Sequence, residues 1–266
     1  MKLKRRIKVV SVCALLAAAA CSQSSSSTTT GSPTSARKLN VFAAASLTGA
    51  FTQIGRDFEA ANAGATVIFN FGSSTDLAAQ IGSEGTADVF ASASGTAMDT
   101  VQAKPGVSGR TNFATNRLGI ITPPDNPAKI SSIQDLANPG VKLVLGAVGV
   151  PIGDYAREAL KGAGVLAAAT ANVVSNEPDD KSVVAKVSSG EADAGIVYVS
   201  DISAAAGTQL GSVSIPSADN VVATYPIAVV TGTAESTTAQ AFITYVTGAS
   251  GQATLKTFGF GSPPTT

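Results

Sequence analysis

The sequence predicts an α/β fold of two lobes, each built on a mainly parallel sheet. Three observations carry this expectation. Short β-branched runs alternate with helical patterns along the chain, as βα units require. Two stretches, "SSTDLAAQIGSEGTADVFASAS" and "EPDDKSVVAKVSSGEADAGIVYVSD", share one plan: a polar cluster, a short amphipathic helix, an acidic-Gly turn, then Ala-Asp and an apolar strand. The echo is too weak for a repeat, but the two copies lie on either side of "ATNRLGIIT". The chain beyond Leu39 also exceeds the common single-domain size.

Residues 1–20 stand outside this fold. A basic start (Lys2, Lys4, Arg5, Arg6, Lys8) precedes an apolar run over 9–20, which is a secretory signal too short to span a membrane comfortably. Apart from it, no segment is expected to span a membrane. The run Ala18-Ala19-Ala20-Cys21 resembles a bacterial lipobox, with Ala18 where Leu is usual, and implies lipidation of Cys21. The plainer alternative is an ordinary signal followed by a stray cysteine. Cys13 leaves with the signal, so the exported chain keeps one thiol and forms no internal disulfide. Residues 21–38 then read as the anchor and a flexible Ser/Thr-rich tether, too polar to bury a core. The expected location is the extracytoplasmic face of the cell membrane.

Within the fold, the expected strands are "LNVFAAA", "ATVIFNF", "ADVFASA", "RLGIIT", "VKLVLGAV", "NVVSN", "AGIVYVS", "VSIP" and "VVATYPIAVV". Helices are expected over 47–61, 75–83, 96–103, 131–137, 153–162 and 181–189, with two more in 237–257. The first rests on Phe51, Ile54 and Phe58 at helical spacing. The chain crosses between lobes near "RLGIIT" and again near "YPIAVV". That gives lobe 1 as 39–117, lobe 2 as 118–224 and a return to lobe 1 over 225–266. Two crossing strands make a hinge, and a hinge makes a cleft.

Composition narrows the function. The chain has no histidine, which removes Ser-His-Asp and Cys-His catalysis and the usual zinc sets, and no enzyme is expected. Of 18 basic residues five precede Ala20, and none of the 18 acidic ones does, so the exported chain carries 13 against 18, net −5. A nucleic-acid partner is not expected.

In such sheets ligands bind beyond the carboxyl ends of strands, where helices begin. At those starts stand Ser46, then Ser73, Ser74 and Thr75, then Ile152, Gly153 and Asp154, then Asp179, Asp180 and Lys181, with Tyr198 after "GIV". Helix N-termini carry unpaired N–H groups and partial positive charge, and several converging on a cleft hold an anion without a full positive charge. Rotatable hydroxyls add donors. The alternative is that each Ser or Asp is a plain N-cap and Tyr198 a core residue.

Together, "VFAAASLTGAF", "FNFGSSTDLAAQI", "ADVFASAS", "VPIGDYAREAL", "GEADAGIVYVSD" and "YPIAVV" resemble the periplasmic molybdate-binding proteins of ABC importers, in order from about Val41 to Phe260. The resemblance implies the two-lobed, hinged type II solute-binding fold. It implies molybdate or tungstate held by hydrogen bonds alone, from the side chains of Ser46, Ser74 and Tyr198 and the backbone N–H groups of Ile152 and Asp180. It further implies no cofactor, an ABC transporter permease as partner, and a monomer. Ile152 stands where Ala is frequent and Asp180 where Val is frequent. A carboxylate near a dianion repels it, so Asp180 is expected either to cap its own helix, facing away with Lys181 offsetting its charge, or to reach the cleft and admit hydrogen phosphate. Sulfate, phosphate and a sensor role on the same fold are the alternatives.

Overall fold

The computed structural model describes residues 37–205 and 210–264. Strand β1 (Arg37–Ala44) passes through a 3-10 turn, Ala45–Leu47, into helix α1 (Thr48–Ala61). There follow β2 (Ala65–Gly72), α2 (Ser74–Glu84), β3 (Val89–Ala91), α3 (Gly95–Ala103) and the long β4 (Val107–Thr122). Next come β5 (Leu143–Gly146), α4 (Pro151–Gly162), α5 (Leu166–Ala171), β6 (Val173–Glu177), α6 (Asp180–Ser188), β7 (Ala194–Tyr198) and α7 (Val199–Ala204). The chain closes with β8 (Gly211–Ser214), β9 (Val222–Val230), α8 (Ser236–Thr247) and α9 (Ala249–Thr257).

The strands lie in the order β2-β1-β3-β9-β4-β7-β5-β6, with β8 on β4. Both wings are parallel: β1 pairs with β2 and β3, and β5 pairs with β6 and β7. The antiparallel pairs all involve the two crossing strands. β9 runs against β3, and against β4 over Val107–Arg117. From Leu118 on, β4 turns to β7, and from Gly119 to β8 as well. Two register shifts, between Ser108 and Thr111 and between Asn112 and Ala114, break the β4–β9 ladder near this crossing. Bulges of this kind bend a strand and change its twist.

The helical stripe read in α1 packs as expected. Phe51, Ile54 and Phe58 are buried, and Phe242 of α8 stands edge-on to Phe51 and Phe58 at 5.9 and 5.3 Å between ring centroids. Each such side chain contributes roughly 1.5–3 kcal/mol by leaving water. At α4 the fit is closer still. A Cβ on Gly153 would run into the carbonyls of Gly146 and Ala147, so glycine there lets the helix start sit directly on the end of β5.

Three expectations change. The helix read over 131–137 is only a 3-10 turn, Gln134–Ala137. The Asp135 carboxylate accepts bonds from the N–H and hydroxyl groups of Ser131 and Ser132, which offers that backbone an alternative to helix. Short α5 and α7 have no counterpart in the sequence reading. β4 starts well before "RLGIIT", because its polar first half gains its partner from β9. Among the described residues no helix is long and apolar enough to cross a membrane. The signal, Cys21 and most of the tether lie outside the described residues.

Candidate functional site

The carboxyl ends of β1 and β2 from one wing, and of β6 and β7 from the other, meet at one cavity. Its free volume is about 10 Å³, room for about one water-sized group and far below the roughly 300–1,000 Å³ of organic-ligand pockets. No Lys or Arg lines it. A site of this size suits a small inorganic ion.

Four of the five expected residues line this cavity: Ser74, Ile152, Asp180 and Tyr198. Ser46 does not, although its neighbours Ala44 and Ala45 do. The Ser46 side chain is buried, with Oγ 2.9 Å from Tyr225 Oη. The plain-cap alternative fails for both serines. Ser46 lies inside the 3-10 turn, and Ser74 is the first residue of α2, whose capping position is Ser73. Ser74 Oγ instead accepts from the Ala93 N–H at 2.9 Å, which leaves its own hydrogen to donate.

The helix starts are open. No side chain caps the 3-10 turn, α2 or α4, so their leading N–H groups keep their donor capacity. The exception is α6. There Asp179 Oδ1 accepts from the Ser182 N–H at 2.8 Å. Asp179, not Asp180, is the cap, which corrects the expectation that Asp180 caps its helix and faces away. Lys181 is shared rather than reserved for Asp180: its Nζ lies 2.8 Å from Asp201 Oδ1, and its charge also acts on Asp180.

Three side-chain oxygens at the cavity are buried without a hydrogen-bond partner: Ser73 Oγ, Asp180 Oδ2 and Tyr198 Oη. Buried polar atoms are nearly always paired with protein, water or ligand, so three such oxygens together mark this cavity as a polar site. Burial, then the nearby Tyr225 and Asp180, push the Tyr198 phenol well above its ordinary pKa, so it stays a donor. Burial, then the charge of Asp201 and a hydrogen bond to it, push the Asp180 carboxyl well above the carboxylate range.

Sequence reasoning missed the residues behind these donors. Asn116 on β4 donates to Ser200 Oγ at 2.8 Å and, more weakly, to Tyr225 Oη at 3.4 Å. Tyr225 Oη in turn shares a hydrogen bond with Ser46 Oγ in which either hydroxyl can donate, and when Tyr225 donates the Ser46 hydrogen is free for another acceptor. Tyr225 had been visible only as part of the crossing "YPIAVV". Ser73 had been visible as a helix-start hydroxyl, with nothing to single it out from Ser74. Two bonds also tie the wings together beside the cavity: Thr75 Oγ1 to Gly149 O at 2.7 Å, and Tyr155 Oη to Ala93 O at 3.4 Å.

Comparison with known proteins agrees with this architecture. The family model of bacterial extracellular solute-binding proteins matches residues 39–261. The Molybdate-binding protein ModA of Mycobacterium tuberculosis H37Rv is 43% identical over 88% of this chain and 88% of its own. The Molybdate-binding protein ModA of Escherichia coli K12 is 33% identical over 84% of this chain and 88% of its own. The solved periplasmic molybdate-binding protein of Azotobacter vinelandii superposes with a TM-score of 0.75 over 85% of this chain and all of its own. At 23% identity that last likeness speaks for the fold alone. Shared fold, shared chain length and a cleft with a small donor-lined cavity lead to one assignment: the chain belongs to the family of bacterial extracellular solute-binding proteins.

Proposed function

We propose that this chain captures molybdate outside the cytoplasm and presents it to an ABC importer. The observation that carries the reading is the unpartnered Tyr198 hydroxyl, buried at a cavity of inorganic-ion size where uncapped helix starts converge and no cation lines the wall. The dianion accepts from the hydroxyls of Ser74 and Tyr198, from Ser46 once it turns from the Tyr225 shell, and from the backbone N–H groups of Ile152 and Asp180. Such charge-assisted bonds in a site shielded from water replace the hydration shell without a counter-charge. Tungstate, of the same charge and shape, is bound the same way. No cofactor and no chemical step are involved, which agrees with relatives that are binding proteins.

The lobes proposed are 39–117 with 225–266, and 118–224, hinged at β4 and β9. Closure brings them together through Thr75–Gly149 and Tyr155–Ala93, and a permease recognises the closed monomer. Export and the anchor rest on the leader and on Cys21, together with the family's extracellular character. A second reading has its own observation: Asp180 Oδ2 at the cavity is an acceptor that hydrogen phosphate, unlike molybdate, would satisfy. Thermal melting with each anion tests both. Ligand at 100 times Kd stabilises by about 2.7 kcal/mol, which for a chain of this size raises the Tm by about 5–11 °C. Molybdate is expected to do so at lower concentration than phosphate or sulfate. A shift with phosphate alone would replace the first reading with the second.

A further inference from the structure

The Asp180 side chain is the anomaly of this cavity. A donor-lined pocket for a dianion has a carboxyl in its wall, fully buried, with one oxygen unpaired. Its other neighbours define its state. Asp201, from α7, lies beside the Asp180 carboxyl, near enough for the two to share one proton. Asp201 is itself completely buried, accepts from the Tyr198 N–H at 3.1 Å, and holds the Lys181 ammonium at 2.8 Å. Two carboxyls thus share a single cation, and two carboxyls in direct contact cannot both be ionised cheaply. The remaining titratable groups around them are Asp179 on α6, Tyr198 on β7, Tyr225 on β9 and Tyr155 on α4. Burial holds the three tyrosines neutral, and the carboxylates around Lys181 hold it charged. None of them supplies a second positive charge to Asp180.

We propose that Asp180 lines the occupied site as the neutral carboxylic acid, hydrogen-bonded to Asp201, so that capture of one dianion takes up about one proton. This rests on the reading of the cavity as an oxyanion site. The neutral acid donates its O–H to Asp201, so the Asp180 side chain presents no negative charge to the anion. When the cleft is open to water, Asp180 regains solvation and ionises at lower pH than in the closed, occupied form. The bound form therefore holds its proton more tightly than the free form, and linkage fixes the sign: affinity is fully present at low pH and falls as pH rises through the free-state pKa, by up to tenfold per pH unit.

Calorimetric titration of the exported chain with sodium molybdate between about pH 6 and pH 9 tests this, in two buffers of different ionisation enthalpy. The expected result is a Kd that rises with pH and a buffer-dependent heat that reports proton uptake. Asp180→Asn keeps a donor to Asp201 and should bind with a flat pH profile and no uptake. Asp180→Val is a second variant with the same expectation should the amide misfold. Binding at every pH with a flat wild-type profile and no uptake would overturn the proposal and leave the oxyanion reading standing. A slope retained in both variants would also overturn it. No molybdate binding at any pH would overturn the oxyanion reading itself, and this inference with it.

Discussion

Tyr198→Phe separates ligand binding from packing. The ring is buried and stands edge-on to Tyr225 at 6.0 Å, and phenylalanine keeps that contact. The hydroxyl alone is removed, and it has no partner within the protein. A hydrogen bond to a charged acceptor contributes roughly 1.5–3 kcal/mol, so molybdate affinity should fall roughly tenfold to over a hundredfold. The ligand-free protein should respond the other way. A buried unpaired polar group costs about 1–3 kcal/mol, so its loss leaves the Tm equal to the parent's or higher. Calorimetry for Kd and thermal melting without anion give both numbers on one preparation. A core role for the hydroxyl predicts the reverse pattern, a lower Tm with unchanged affinity, and that result would refute the reasoning.

Other expectations follow from the same structure. Gly153→Ala pushes a methyl into the Gly146 and Ala147 carbonyls. Overpacking of this kind costs about 1–3 kcal/mol, so melting should show a Tm lower by about 2–12 °C, with weaker molybdate binding as the Ile152 N–H shifts. Bonds from Ser131 and Ser132 hold the Asp135 carboxyl at a pKa of about 2, below its ordinary 3.8. Its folded-state pKa is depressed, so its stabilising effect is present above about pH 4 and is lost as pH falls toward 2; the Tm gap between wild type and Asp135→Asn should be open near neutral pH and close in acid. Cys21→Ala should release the protein from the membrane fraction or block its processing, and a processed variant that stays membrane-bound on fractionation would refute lipid anchoring.

Much of this architecture was legible in the residues, for identifiable reasons. The α1 stripe was readable because Phe51, Ile54 and Phe58 are apolar at helical spacing, and the same face is what the core needs. The cavity was readable because parallel strands deliver their helix starts to one edge, which gathers Ser73, Ser74, Ile152, Asp179, Asp180 and Tyr198 with their neighbours; the resemblance to molybdate-binding proteins, not topology, singled out Ser74, Ile152, Asp180 and Tyr198 among them. What stayed hidden depends on partners far away in the chain. The first half of β4 is polar and reads as loop; only pairing with β9 makes it a strand. The Tyr225 bond to Ser46 spans 179 positions, and no local pattern announces it. Asp180 was weighed against Lys181, its sequence neighbour, whereas the group that sets its state is Asp201, brought to it by the packing of α7 beside α6. Caps could not be assigned from composition either, since Asp179 and Asp180 are chemically the same and only helix geometry decides which one caps.

The central claim is that the cavity between β2, β6 and β7 holds one tetrahedral oxyanion. Its most direct test is a calorimetric titration of the exported chain near pH 6 with molybdate, tungstate, sulfate and phosphate in turn. Saturable binding of one molybdate per chain, matched by tungstate, weaker for sulfate and phosphate, and reduced at least tenfold in Ser74→Ala is the predicted result. No saturable heat with molybdate, or an affinity untouched by Ser74→Ala, would contradict it.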